Sequence, residues 1–152
     1  MNLIQRYAEQ RAVFEAAYDR GDWAPLGDYF HEDITYEVMN MPFHCVIQGR
    51  NRTLAALRYS VERFDKLCIR TVGIDSMIRQ EGANVLIHSG MRFEREGAPA
   101  TTATLWEIAT YRGDRIERIL DIYDPQCAAS FERWMADWGQ GLDPRYLAEG
   151  EV

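Results

Sequence analysis

Apolar positions change period along this chain, from helical in the first part to alternating in the second. Leu3, Tyr7, Phe14, Ala17 and Tyr18 recur at helical spacing, and Gly21 ends that run as a C-cap. Asp22-Trp23-Ala24-Pro25-Leu26 then predicts a short second helix, with Asp22 as N-cap and Pro25 in its first turn. From Asp33 to Met39 the pattern alternates, placing Ile34, Tyr36 and Val38 on one face of a strand, and residues 40–44 read as a loop. Gly49 precedes a helix over 50–64, whose apolar stripe is Leu54, Leu57, Val61 and Phe64. Four strands follow, over 67–79, 83–94, 101–111 and 115–123. They are separated by the turn signals Glu81-Gly82, Glu96-Gly97 and Arg112-Gly113-Asp114. Phe131, Trp134, Met135 and Trp138 return to helical spacing, predicting a last helix that covers the sheet or a partner chain. Helices followed by hairpin-linked strands predict an α+β fold with the helices on one face of an antiparallel sheet.

One residue breaks the pattern. Asp121 sits in the last strand among Ile119, Leu120, Ile122 and Tyr123, so both faces of that strand are expected to be covered. A buried carboxylate is costly unless it finds a partner, holds a proton or serves chemistry. Its bland alternative is a structural acid paired with Arg92 or a buried hydroxyl. Glu107, in Leu105-Trp106-Glu107-Ile108, is a second acid in an apolar strand and a lesser candidate.

Composition narrows the chemistry. The 152 residues are 47% hydrophobic and 12% aromatic, enough for one packed domain. A net charge of −7 argues against a nucleic-acid binder that works through a basic footprint. The N-terminus lacks a signal-peptide pattern and no apolar run reaches membrane-spanning length, so a cytoplasmic protein is expected. Cys45, Cys68 and Cys127 form no CxxC pair, and His31, His44 and His88 are scattered, so neither a disulfide framework nor a metal site is expected. Lys66, the only lysine, lies in a polar segment, whereas Schiff-base chemistry wants a desolvated amine. The chain has no GxGxxG, no Walker loop and no GxSxG, and no cofactor is expected.

The order of elements resembles the nuclear transport factor 2-like superfamily, a cone-shaped α+β fold with a deep pocket between a curved sheet and its helices. Gly21-Asp22-Trp23 with Leu26 and residues 29–33 resembles the family's first helical hairpin leading into its first strand. Gly49-Arg50-Asn51 is similar to its helix entry, and Arg112 to Ile116, ending in Asp121-Ile122-Tyr123-Asp124, to its final hairpin. The resemblance implies one domain over residues 1–152, with a core of about 5–135 and a C-terminal helical extension over 126–152. Within the superfamily the chain is most similar to the SnoaL-like polyketide cyclases and the limonene-epoxide-hydrolase-like enzymes.

Those epoxide hydrolases use a tyrosine, an asparagine and an Asp-Arg-Asp triad around a water. Tyr36 matches the tyrosine, Asp121 matches one aspartate, and Asn40 matches the asparagine if the loop is two residues longer. The strand expected to supply the arginine and second aspartate carries His88 and Gly90, so half of the triad has no match. The positions of the ketosteroid-isomerase tyrosine and aspartate carry Phe14 and Val38. Tyr18-Asp19 and Tyr36 fit the places used by scytalone-dehydratase-like enzymes.

In the matched register His88, which shares a face with Leu86, Gly90 and Arg92, lies beside Asp121 in the pocket. A His-Asp pair suits acid/base catalysis, because the carboxylate fixes the imidazole tautomer and histidine titrates near neutrality. The alternative for His88 is a structural bond to a backbone carbonyl. Tyr36 is expected to polarise or protonate a substrate oxygen, or else simply to fill a half-buried strand position. Arg92 is a candidate to orient an anionic group, Gly90 to leave room for substrate, and Asn40, Trp106, Tyr18 and His44 to contact it. The expected activity is a cofactor-independent lyase, dehydratase, isomerase or cyclase acting on a small hydrophobic oxygenated molecule. Epoxide hydrolysis is the alternative, followed by a non-catalytic ligand-binding domain or oxygenase small subunit. The expected partners are the small substrate and a second copy of the chain, not nucleic acid or a membrane.

Overall fold

The computed structural model describes residues 1–148. Helix α1 spans Leu3–Arg20. Asn2 caps it by accepting a hydrogen bond from the Gln5 amide at 3.1 Å. Gly21 closes it in the left-handed region at φ 76°, where a β-carbon would be strained. The helix buries Leu3, Tyr7, Gln10, Phe14 and Ala17 against the sheet. A short 3-10 helix, Ala24–Tyr29, takes the place of the predicted second helix. Asp22 supports its entry by accepting from the Ala24 amide at 3.2 Å.

The strands are β1 (Phe30–Met39), β2 (Cys45–Gln48), β3 (Ile69–Glu81), β4 (Asn84–Glu94), β5 (Thr101–Arg112) and β6 (Arg115–Tyr123). They form one curved open sheet in the order β2-β1-β6-β5-β4-β3. The α+β architecture expected from the pattern is present, with one refinement: β1 and β6 run parallel, while every other neighbouring pair is antiparallel. Turn signals report hairpins only, so a pairing between the first and last strands leaves no local trace. Strand β2 was not expected; its four residues are too few to show a period.

Helix α2, Arg50–Arg63, starts from Gly49 at φ 96°, with the Thr53 hydroxyl donating to the Gly49 carbonyl at 2.9 Å. Val61 and Phe64 of the predicted stripe are buried and Leu54 and Leu57 half-buried, while the small Thr53, Ala56 and Ser60 beside them are buried too and let the helix approach the sheet closely. Helix α3, Pro125–Trp138, is capped by Asp124 and covers β5. Phe131 meets Phe43 at 5.7 Å and Phe64 at 5.6 Å between ring centres, and the Trp134 indole donates to the Pro99 carbonyl at 2.7 Å.

The expected C-terminal helical extension ends at Trp138. Residues 139–148 run as a non-helical strap across α2, and the end of the predicted segment, 149–152, lies outside the described residues. Tyr59 holds the strap through Asp143 at 2.9 Å, and the Asp143 amide donates to the Arg63 carbonyl. Hydrogen bonds from Arg145 hold the Asp143 carboxyl down at about 2. Among the described residues no helix is long and apolar enough to cross a membrane.

Candidate active site

A cavity of about 460 Å³ lies between the inner face of the sheet and the three helices. That is ample for a small molecule, since ligand sites run from roughly 300 to 1,000 Å³. The walls are largely apolar, with Phe14, Phe64, Phe93, Leu105, Ile119 and Phe131 among them. Strand periodicity decides which polar groups enter. Ile119, Asp121 and Tyr123 of β6 point inward, as do Ala103, Leu105 and Glu107 of β5.

At the polar floor Tyr36 donates to Asp121 Oδ2 at 2.7 Å. Asp121 is only 4% exposed, and its buried Oδ1 meets no hydrogen-bond donor among the described residues. Burial, and then the neighbouring Glu107 carboxyl, push the Asp121 carboxyl well above the usual carboxylate range. Tyr7 donates to Glu107 Oε1 at 2.6 Å. Burial and then Asp121 raise the Tyr36 hydroxyl, and burial and then Glu107 raise that of Tyr7, so both tyrosines stay protonated donors. Tyr146, delivered by the C-terminal strap, brings its ring within 5.3 Å of Tyr36 and 5.9 Å of Phe43.

A second polar group lies along the wall. Arg11 pairs with Glu15 at 2.9 Å. Burial disfavours the Arg11 charge, but the neighbouring carboxyls, Glu107 first and then Glu15 and Asp121, hold it in place. Arg70 bonds Glu15, reaches Asp65 at 4.0 Å and stacks over the Tyr18 ring at 3.8 Å. Burial pushes the Asp65 carboxyl up to about 7 despite Arg70.

The structure joins only two of the three expected catalytic residues, Asp121 and Tyr36. His88 stands opposite Trp106 on the outer face of the sheet, with the two rings 4.9 Å apart, while its neighbours Ile87 and Ser89 line the cavity. The expected His88-Asp121 pair is therefore corrected: β4 presents its odd-numbered residues inward, one position from the assumed face. Trp106 and Arg92 fall outside with it, the exposed Arg92 bonding the half-buried Glu94 at 2.6 Å. Gly90 makes no room for substrate. Its missing β-carbon admits Ile74 of β3, whose Cβ would lie 3.3 Å away. Tyr18 does not line the cavity, being held beneath Arg70 and Lys66. Asn40 donates to the Tyr123 carbonyl at 3.1 Å, and His44 contacts the Met41 carbonyl. Both border a separate surface cleft beyond Met41, Phe43 and Tyr146. His88→Ala is expected to leave turnover unchanged and to cost at most about 1 kcal/mol, the worth of one ring pair; rate-versus-pH curves and thermal melting check this.

Sequence reasoning missed Tyr7, Arg11 and Tyr146 as cavity groups and ranked Glu107 too low. A signal existed for the first two. Tyr7, Arg11 and Glu15 lie four residues apart, a polar stripe along the edge of the apolar face of α1. Tyr146 had none, because only tertiary docking of the strap brings it in. Among the described residues no group of three or more His, Cys, Asp or Glu is placed to hold a metal ion.

Comparison with known proteins gives the class. Residues 11–119 match the family model of the SnoaL-like domain, and the chain belongs to that family, within the nuclear transport factor 2-like superfamily. No curated protein matches the sequence. Among solved structures, a nuclear transport factor 2-like protein from Burkholderia xenovorans LB400 is 20% identical with a TM-score of 0.64, covering 83% of this chain and 95% of that one. An epoxide hydrolase of M. tuberculosis, similar to limonene epoxide hydrolase, is 19% identical with a TM-score of 0.62, covering 90% and 96%. A candidate polyketide cyclase from Xanthomonas campestris pv. campestris is 19% identical with a TM-score of 0.55, covering 87% and 96%. At these identities the likeness is one of fold.

Proposed function

We propose that this protein is a cofactor-independent acid/base enzyme, a lyase, dehydratase, isomerase or cyclase, acting on a small hydrophobic oxygenated molecule. The observation that carries the reading is Asp121, a buried carboxyl on the floor of an apolar cavity, bonded to Tyr36 on one oxygen and lacking a donor on the other. A structural acid is normally compensated by N–H or hydroxyl donors on both oxygens; Asp121 is so compensated on one, which suits a group that exchanges a proton with a ligand. With its proton affinity raised, Asp121 holds a proton that it delivers to a substrate oxygen or carbon. Tyr36 steadies the carboxylate left behind.

Epoxide opening is a second reading, favoured by one finding. The carboxyl and arginine that sequence matching left without a place have counterparts in Glu107 and Arg11, which enter from β5 and α1. The test is a turnover screen of aromatic, terpenoid and polyketide compounds, including epoxides, run in heavy-oxygen water. Product carrying the label points to hydrolysis, and unlabelled product to the lyase or isomerase class. Turnover that survives unchanged in Asp121→Asn would sink both readings.

A further inference from the structure

We infer that Glu107 is the second catalytic carboxyl of the cavity, sharing one proton with Asp121, so that the pair presents an acid and a base to the same substrate. This rests on the acid/base reading above and assigns the base that it lacks. Glu107 and Asp121 are direct register partners on β5 and β6. Opposed residues on paired strands hold their β-carbons about 4.5–5.5 Å apart, close enough for two carboxyls to meet. Both side chains line the cavity, so the two carboxyls face each other across the paired strands. Two carboxylates are acceptors only, so a contact between them is a hydrogen bond only when one of them carries a proton.

The flanking tyrosines do not supply that proton. Tyr36 gives its hydroxyl hydrogen to Asp121 and Tyr7 gives its own to Glu107. A phenol has one hydrogen to give. The chain Tyr36-Asp121-Glu107-Tyr7 is therefore closed at both ends, and its middle link needs a proton held by the carboxyls. The other groups facing the pair are Arg11 and Glu15 from α1 and Tyr111 from β5. Tyr123 and Tyr146 face it from β6 and the strap, and Asp65 lies farther along the wall. Arg11 is the cation set against the single negative charge that a once-protonated pair retains. Like charges this close do not both ionise, which separates the two carboxyls into donor and acceptor.

The substrate class follows from having both roles side by side. It is a small hydrophobic compound that loses a proton at one atom and accepts one at a neighbour, such as a hydroxyl compound with an acidic C–H on the adjacent carbon. In dehydration the Glu107 carboxylate takes that C–H proton and the C–H electron pair becomes the new C=C bond. The C–O bond breaks, and the hydroxyl leaves as water with the proton of Asp121. The pair begins and ends with one proton, and transfer from Glu107 back to Asp121 resets it without any other reactant.

The test is carbon NMR of isotope-labelled aspartate and glutamate carboxyls in the whole protein, which needs no substrate. In the wild type the Asp121 and Glu107 signals are expected to titrate as a pair. In Glu107→Gln the Asp121 midpoint is expected to fall by about one pH unit or more, because the neighbouring charge is gone. On an active substrate Glu107→Gln is expected to lower kcat by about 10²–10⁴-fold with KM little changed, and to lose the rise of rate on the acid side of the pH profile. An Asp121 midpoint that stays put in Glu107→Gln, or full turnover by that variant, would overturn the inference. A coupled titration in a protein that turns over none of the screened compounds would count instead against the acid/base reading and leave the shared proton standing.

Discussion

Asp121→Asn is expected to stop turnover, by about 10²–10⁴-fold in kcat, while making the protein more stable at neutral pH. The two halves have one cause. Asparagine keeps the shape of the side chain, still accepts from Tyr36 and can donate to Glu107, but it has no proton to give at any accessible pH. The stability half follows from linkage. Burial and then Glu107 raise the Asp121 carboxyl in the folded state above its unfolded value of about 4. Above that unfolded value the folded protein binds a proton that the unfolded chain has released. Stability therefore falls as pH rises from about 4 toward the raised folded value, and the native aspartate is a net cost throughout that window. Removing it is expected to raise Tm by a few degrees at neutral pH, on the order of 1 kcal/mol. The gain is expected to shrink toward zero near pH ~4, where both states are protonated. Kinetics on one active substrate and melting curves across pH check the two halves separately. A variant that loses both activity and stability would identify Asp121 as a structural acid.

The residues showed how strongly each feature is written in local pattern. Asp121 and Tyr36 were legible because each interrupts or completes an alternating run whose neighbours fix the inward face. His88 was misplaced by a single position. Its strand reads Val85-Leu86-Ile87-His88-Ser89-Gly90-Met91, apolar enough on both faces that alternation does not choose between them. The outer face explains why: Leu86 and His88 sit in a partly covered layer with Trp106 and Ile108 of β5, so apolar residues were needed there too. Glu107 was visible as an acid in an apolar strand, but its meeting with Asp121 depends on the β5–β6 register. That register shifts at Thr110/Tyr111, a bulge with no sequence mark.

The helical contributions were hidden for a different reason. A helix stripe predicts which side is buried, not which tip reaches a cavity. Tyr7 satisfies the apolar stripe with its ring and the site with its hydroxyl, so it was read as core. Family likeness points to the last strand and the first, which carry Asp121 and Tyr36. It does not point to Arg11 or Glu107, which enter the cavity from α1 and β5.

A stability loss that grows with pH is expected from Arg70→Met, about 1 kcal/mol greater at pH ~8 than at pH ~5. Arg70 is 8% exposed at its side chain, bonds Glu15 and stands near Asp65, which is 17% exposed. Methionine fills the space over Tyr18 but leaves a buried carboxyl without its cation. The loss is expected to depend on pH in a definite direction. Burial already lifts the Asp65 carboxyl to about 7, with Arg70 holding it down. Without Arg70 it rises further, so below about 7 Asp65 is neutral in both proteins and the substitution is mild. Above that value the wild type ionises Asp65 beside Arg70, while the variant must either bury a bare charge or keep a proton that the unfolded chain has given up. Denaturant unfolding at about pH 5 and about pH 8 should show the larger cost at the higher value. Asp65→Asn placed in the Arg70→Met background should recover most of that difference, since it removes the group left unpaired. A loss equal at both pH values and untouched by the second substitution would assign Arg70 a packing role over Tyr18 instead.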